Sequence, residues 1–150
     1  VFITHAHIDH SGYIPRLIKK GFRGTIYCSQ GTYELAKILL PDSGHLQEEE
    51  ADYANRKGYS RHKPALPLYT REEAEESLKF FQPIDFHKTT KITDELQITL
   101  SRAGHILGAS CILVEAAGRR RAILPGPGGR WAGGKARGWG ASAAARGRPE

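Results

Sequence analysis

The 150-residue chain has no methionine and only two cysteines, Cys28 and Cys111, far apart in sequence. Two distant thiols suit a reduced, cytoplasmic protein better than a secreted disulfide scaffold. No apolar run approaches the roughly 18 residues of a membrane-spanning helix, and no segment of the given sequence reads as a signal peptide. The missing initiator methionine, with an opening at Val1 inside an apolar stretch, predicts a true N-terminus upstream. Three catalytic devices are also absent: a Gly-rich phosphate loop after a strand, a Gly-x-Ser-x-Gly elbow and a Cys-x-x-Cys pair. Charge is scarce in the body of the chain. The net charge is +6, but from Pro125 onward five Lys or Arg face one Glu, which leaves +2 for residues 1–124. A body so near neutral gives no argument for nucleic acid by charge alone. The one basic cluster, Arg56, Lys57, Arg61 and Lys63, reads as a solvated loop.

What is present in residues 1–124 has the patterning of one globular domain, long enough to bury a core without disulfides. Val1–Thr4 is an apolar run suited to a buried strand. Tyr13–Lys20 predicts a helix with Ile14, Leu17 and Ile18 on one face, Pro15 in its first turn and Gly21 as a left-handed cap. Thr25–Ser29 predicts a strand. Thr32–Leu40 predicts a helix with Leu35, Ile38 and Leu39 inward, stopped by Pro41, and Ser43–Lys57 a second helix of weak periodicity. Thr70 and Glu73 form a capping box for a helix over Arg71–Phe81, with Ala74, Leu78 and Phe81 as its apolar stripe. Leu96, Ile98 and Leu100 then alternate with polar residues as in a half-buried strand, and Cys111–Glu115 and Arg121–Leu124 predict two more. Strands at both ends with helices between them predict a mixed α/β layered protein. Residues 125–150 are mostly Gly, Ala, Arg and Pro, a composition that cannot offset its chain entropy, and are expected to be disordered.

The chemistry is concentrated in Thr4-His5-Ala6-His7-Ile8-Asp9-His10. Three imidazoles and a carboxylate fall within six residues, and zinc takes both ligand types. An extended backbone points His5 and His7 to one side, and Asp9 and His10 follow where strand should turn into helix. Packing does not require such a density of ligands. Gly104-His105-Ile106-Leu107-Gly108 follows the alternating strand, and its flanking glycines leave the imidazole accessible. A lone histidine is weak, but beside the first run His105 is a credible fifth ligand. His45, His62 and His87 read as surface or helix-end residues, Cys28 and Cys111 as buried thiols, and the glutamate clusters as solvated helix faces. Arg119-Arg120-Arg121 could meet a phosphate backbone, but reads first as a basic hairpin turn.

The run Thr4–His10 resembles the signature of the metallo-β-lactamase superfamily. Its continuation Ser11-Gly12-Tyr13-Ile14-Pro15, the 94 residues between His10 and His105, and Gly104–Ala109 narrow the resemblance to the β-CASP branch. Within that branch it is similar to the bacterial and archaeal relatives of the mRNA 3′-end cleavage endonuclease. The resemblance covers residues 1–124. It implies part of an αββα sandwich, incomplete at both ends, and a zinc-dependent hydrolase that cleaves RNA phosphodiester bonds with a metal-bound hydroxide. It implies that His5, His7 and His105 hold a first zinc. Asp9 and His10 would help to hold a second, with Asp9 also orienting the nucleophile. RNA is the implied partner, with no membrane, and a homodimer stays open.

The family pattern continues into a Ser-Gly-Asp turn whose Asp bridges the metals, whereas here Arg121–Leu124 runs into Pro125-Gly126-Pro127-Gly128 and no Asp occurs after Asp94. The compositional break at that point is expected if residues from about 125 are a frameshifted reading of a longer gene. Two alternatives accompany the nuclease reading: a thioester hydrolase of the glyoxalase II kind, and an inactive metal-binding remnant.

Overall fold

A computed structural model describes residues 1–123; the expectations for Leu124 and for the tail over 125–150 lie outside them. The described residues form a mixed α/β arrangement of helices and two sheets. In chain order the elements are α1 (Ile8–Ser11), α2 (Ile14–Lys19), β1 (Ile26–Ser29), α3 (Gln30–Lys57) and α4 (Arg71–Ser77). A 3₁₀ turn (Leu78–Phe80) leads into β2 (Phe81–Ile84), followed by β3 (Thr89–Lys91), β4 (Leu96–Arg102), β5 (Ser110–Ala116) and β6 (Arg119–Ile123). None of the described helices is long and apolar enough to cross a membrane.

The first sheet is the parallel pair β1–β2, with Ile26 opposite Phe81 and Ser29 opposite Ile84. Residues 1–4 run beside β1 in the same direction: Ile3 N–H donates to Tyr27 O (3.0 Å) and Tyr27 N–H to Val1 O (2.9 Å). The predicted strand over Val1–Thr4 is thereby reduced to a single bridge between Phe2 and Tyr27. The second sheet is antiparallel in the order β3-β4-β5-β6. Its alternation is the predicted one, with Ile98 and Leu100 buried. These two pack with Ile112 against Phe2, Tyr27, Ile84 and Phe86, which joins the two sheets. The predicted basic turn lies elsewhere: Ala117 and Gly118 take the positive φ values of a tight hairpin, and Arg119 already belongs to β6.

Three helical expectations are corrected. Helix α3 does not stop at Pro41; it runs unbroken from the Ser29 N-cap to the left-handed Gly58. An internal proline costs about 3 kcal/mol of helix propensity, and tertiary packing offsets it. Leu40, Pro41 and Gly44 are buried, with Gly44 against the start of α4. Tyr69 Oη donates to Ser43 Oγ (3.0 Å), Leu68 N–H to Gln47 Oε1 (3.1 Å) and Arg71 N–H to Glu48 Oε2 (2.9 Å), all in the turns after Pro41. The inward stripe is Thr32, Ala36, Leu40 and Gly44, so Ile38 points outward, 67% exposed. Helix α4 keeps its capping box, with Glu73 N–H on Thr70 Oγ1 and Thr70 N–H on Glu73 Oε2, but ends at Ser77. Phe81 therefore opens β2, a strand that sequence periodicity did not show because Pro83 interrupts it. Pro83 is tolerated because β2 pairs on one side only, with β1.

Gly44 is the tightest point of this arrangement. A Cβ there would stand 2.7 Å from Thr70 O and 2.8 Å from Arg71 N. Gly44→Val is expected to destabilise the chain by about 2 kcal/mol or more, whereas Ile38→Ala should change stability by less than about 0.5 kcal/mol. Urea unfolding of the two variants checks the contrast.

Candidate metal centre

Two chain segments distant in sequence build the centre. The first begins where residues 1–4 leave β1. Ser110 N–H (2.8 Å) and Ser110 Oγ (3.0 Å) both donate to Thr4 O, fastening this segment to the start of β5. The chain then turns sharply into α1. The buried Ser11 hydroxyl is 3.0 Å from Ala6 O and 3.1 Å from His7 O, and the N–H groups of His10 and Ser11 both donate to His7 O. Ala6 is fully buried, so the turn has no room for a larger side chain between the two histidines.

The second segment is the loop between β4 and β5, closed by Ala103 N–H on Ala109 O (3.0 Å). It rests on the N-terminus of α3. Gly108 O accepts from Ser29 Oγ (2.5 Å) and from Thr32 Oγ1 (3.0 Å). Ser29 is also the N-cap of α3, accepting from Thr32 N–H. Backbone meets backbone here: a Cβ on Gly108, whose φ is +75°, would lie 2.1 Å from Thr32 N, and one on Gly31 2.8 Å from Gly108 Cα. Only glycine at both positions permits the approach that aims His105 at the first segment. Sequence reasoning missed Ser29, Gly31 and Thr32. Their one visible signal is a Ser N-cap followed by glycine at a helix start, and nothing in it reveals a partner 79 residues away.

Among the predicted site residues, the structure brings His5, His7 and His105 together. Each offers one nitrogen, and the three nitrogens lie within 4.8 Å of one another. Their ring centroids are 4.9 Å apart in each pairing, with planes nearly perpendicular. His105 Nε2 is 3.2 Å from His7 Nδ1. Metal–nitrogen bonds of 2.0–2.1 Å in tetrahedral geometry imply ligand nitrogens roughly 3.3 Å apart, so this cluster could hold a metal ion. Thr4 Oγ1 lies 2.9 Å from His5 Nδ1, which leaves Nε2 as the free coordinating atom. The other two predicted residues flank the trio. The His10 ring is 4.2 Å from that of His5, and Asp9 Oδ2 is 3.4 Å from His10 Nε2. Asp9 projects outward, its side chain 79% exposed.

Burial first, and then the neighbouring imidazoles of His10, His105 and His7, push the pKa of His5 down to about 4. At neutral pH it is therefore an uncharged base with its lone pair available. His45 Nε2 faces Glu49 on α3 at 3.5 Å. Cys28 and Cys111 are buried free thiols, and burial raises both pKa values, that of Cys28 to about 12.

No protein-family model matches the chain. Curated proteins do match. The chain is 34% identical over 110 residues to the transcription termination factor FttA of Methanocaldococcus jannaschii, covering 73% of this chain and 15% of that protein. It is 28% identical over 119 residues to ribonuclease TTHA0252 of Thermus thermophilus, covering 79% of this chain and 23% of that protein. FttA of Thermococcus kodakarensis is 33% identical over 113 residues, covering 75% of this chain and 15% of that protein. The chain is thus related to a transcription termination factor and to a ribonuclease. It spans less than a quarter of the length of these relatives.

Two outcomes follow from the geometry. Unfolded His5 titrates near 6.5, and the folded value is about 4. Between these pH values the unfolded chain binds a proton that the folded chain does not. The metal-free protein should therefore lose stability as pH falls from about 6.5 towards 4, and His5→Asn should flatten that loss in urea unfolding run with chelator. Separately, Ser29→Ala removes a hydroxyl from Gly108 O and should weaken metal binding by about tenfold, read by competition with a chromogenic chelator.

Proposed function

We propose that this chain provides the metal centre of a zinc-dependent hydrolase of the metallo-β-lactamase fold, in its β-CASP RNA-processing branch, acting on RNA phosphodiester bonds. The observation that carries the reading is the convergence of His105 on His5 and His7 across 98 residues of sequence. Packing alone gives no reason for three imidazoles to meet in this way. The relatedness to a ribonuclease and to a transcription termination factor supports RNA as the substrate. The two sheets, joined through Ile98, Leu100 and Ile112, support a sandwich architecture.

In this reading His5, His7 and His105 hold the first zinc, and Asp9 with His10 contributes to a second. Zinc in such a site acidifies water and offsets charge building on phosphoryl oxygens. The residues of the chain do the rest. Thr4 fixes the His5 ring through Nδ1, so that its other nitrogen faces the cluster. The exposed Asp9 carboxylate can accept a hydrogen bond from the attacking water and orient it toward phosphorus. His10, 3.4 Å from that carboxylate, restrains its direction.

The test measures zinc per chain and cleavage of a labelled RNA by the purified protein. About two zinc per chain, lost in His7→Ala, together with RNA cleavage abolished by chelator, is the expected result. Asp9→Asn should lower cleavage by about 100-fold or more. Turnover of S-lactoylglutathione without RNA cleavage would move the assignment to a thioester hydrolase. Zinc binding without turnover of either would leave a metal-binding remnant.

A further inference from the structure

The C-terminal end of α3 and the loop after it carry features that the metal centre does not use. Tyr53 and Tyr59 are 48% and 60% exposed, with ring centroids 6.1 Å apart. Lys57 Nζ lies 5.8 Å from the centre of the Tyr53 ring. Arg56, Lys57, Arg61 and Lys63 are all exposed, and residues 53–71 contain no carboxylate. Among the described residues none of these four cations forms an ion pair; seven other cations, among them Lys19 and Arg71, do, and six, among them Lys20 and Arg102, do not. The loop is also built rather than slack. Asn55 clamps it in both directions, donating from Nδ2 to Ala65 O (3.0 Å) and accepting from Ala65 N–H at Oδ1 (2.7 Å). Between helix and loop runs an open groove with Ala51, Ala54, Ala65, Leu66 and Pro67 in its walls and Tyr59 and His62 at its rim. Glu50 also lines it and, with Asp52, bounds the basic stretch on its N-terminal side.

Exposed aromatic faces among unpaired cations fit one ligand chemistry: flat bases for the rings and phosphates for the charges. We propose that this surface, around Tyr53, Tyr59, Arg56, Lys57, Arg61 and Lys63, is a contact site for single-stranded RNA, remote from the metal centre. The proposal rests on the reading of the chain as an RNA hydrolase and adds where the strand is held. Helix α3 has 28 residues, and a rise of 1.5 Å per residue makes it about 40 Å long. Its N-terminus supports the His105 loop, and its other end, with the loop after it, carries the tyrosines. A long strand engages both ends, whereas a substrate reduced to its scissile bond reaches only the metal.

The probe is a fluorescein-labelled oligouridine of about 20 nucleotides, long enough for several stacking contacts. Binding to the 150-residue chain is followed by anisotropy with chelator present, so that cleavage plays no part. Tyr59→Ala should weaken binding by about 5- to 150-fold, the range expected for one stacked base. Tyr59→Phe, which keeps the ring, should restore it. Lys57→Gln should lower the slope of log affinity against log salt by about one. Unchanged affinity in Tyr59→Ala, no rescue by phenylalanine, or equal competition by a polyglutamate peptide would overturn the proposal, the last by showing a surface for acidic protein segments. Hydrolysis of a small chromogenic phosphodiester should be unchanged in all three variants. If that hydrolysis is absent while RNA binding follows the expected pattern, the hydrolase reading fails and the RNA surface stands. If hydrolysis is present and binding ignores the tyrosines, the surface alone fails.

Discussion

One carbonyl oxygen decides whether the two halves of the candidate centre meet. Gly108 O receives the Ser29 and Thr32 hydroxyls, and the backbone around it lies closer to the start of α3 than any side chain would allow. Buried hydroxyls without partners are costly, and here both are satisfied by one acceptor. The same serine caps the helix. Helix start, β4–β5 loop and histidine direction are therefore fixed by one set of bonds. A second set, from Ser110 to Thr4 O, does the same for the opposite segment. The ligand residues need few restraints of their own because their supports are locked to each other.

Much of this was legible in the sequence wherever the determining interactions are local. The run His5 to His10 stands out as a candidate metal site because its ligand density has no packing explanation. The Thr70–Glu73 box formed as predicted because both partners lie within one turn. The alternation through Ile98 and Leu100, a period readable within the strand itself, became a buried strand face. The placement of His105 could be read only by combining a weak local signal with a strong distant one.

Where tertiary contacts outweigh local preference, the sequence misled. Pro41 looks like a helix stop, yet Gly44 against Thr70 and the bonds of Ser43, Gln47 and Glu48 carry α3 past it. The inward face of α3 includes small residues, Ala36 and Gly44 among them, so a hydrophobicity pattern selected Ile38 instead. Strands β2 and β3, four and three residues long, lack an apolar alternation. Their existence depends on β1 and β4, and their own composition does not foretell it. Ser29, Gly31 and Thr32 were invisible as site residues because their role exists only once the loop containing Gly108 arrives.

The crowding of His5, His7, Asp9 and His10 into one short stretch bears on how the chain would meet a metal. A denatured chain retains those four groups within reach of one ion, whereas His105 joins only when β4, β5 and α3 are assembled. Metal would then bind the unfolded state as well as the folded one. Its stabilising effect is limited to the difference between the two affinities. That difference would depend on a ring delivered from 98 residues away, so folding, rather than the ligand run itself, would set how firmly such a centre keeps an ion.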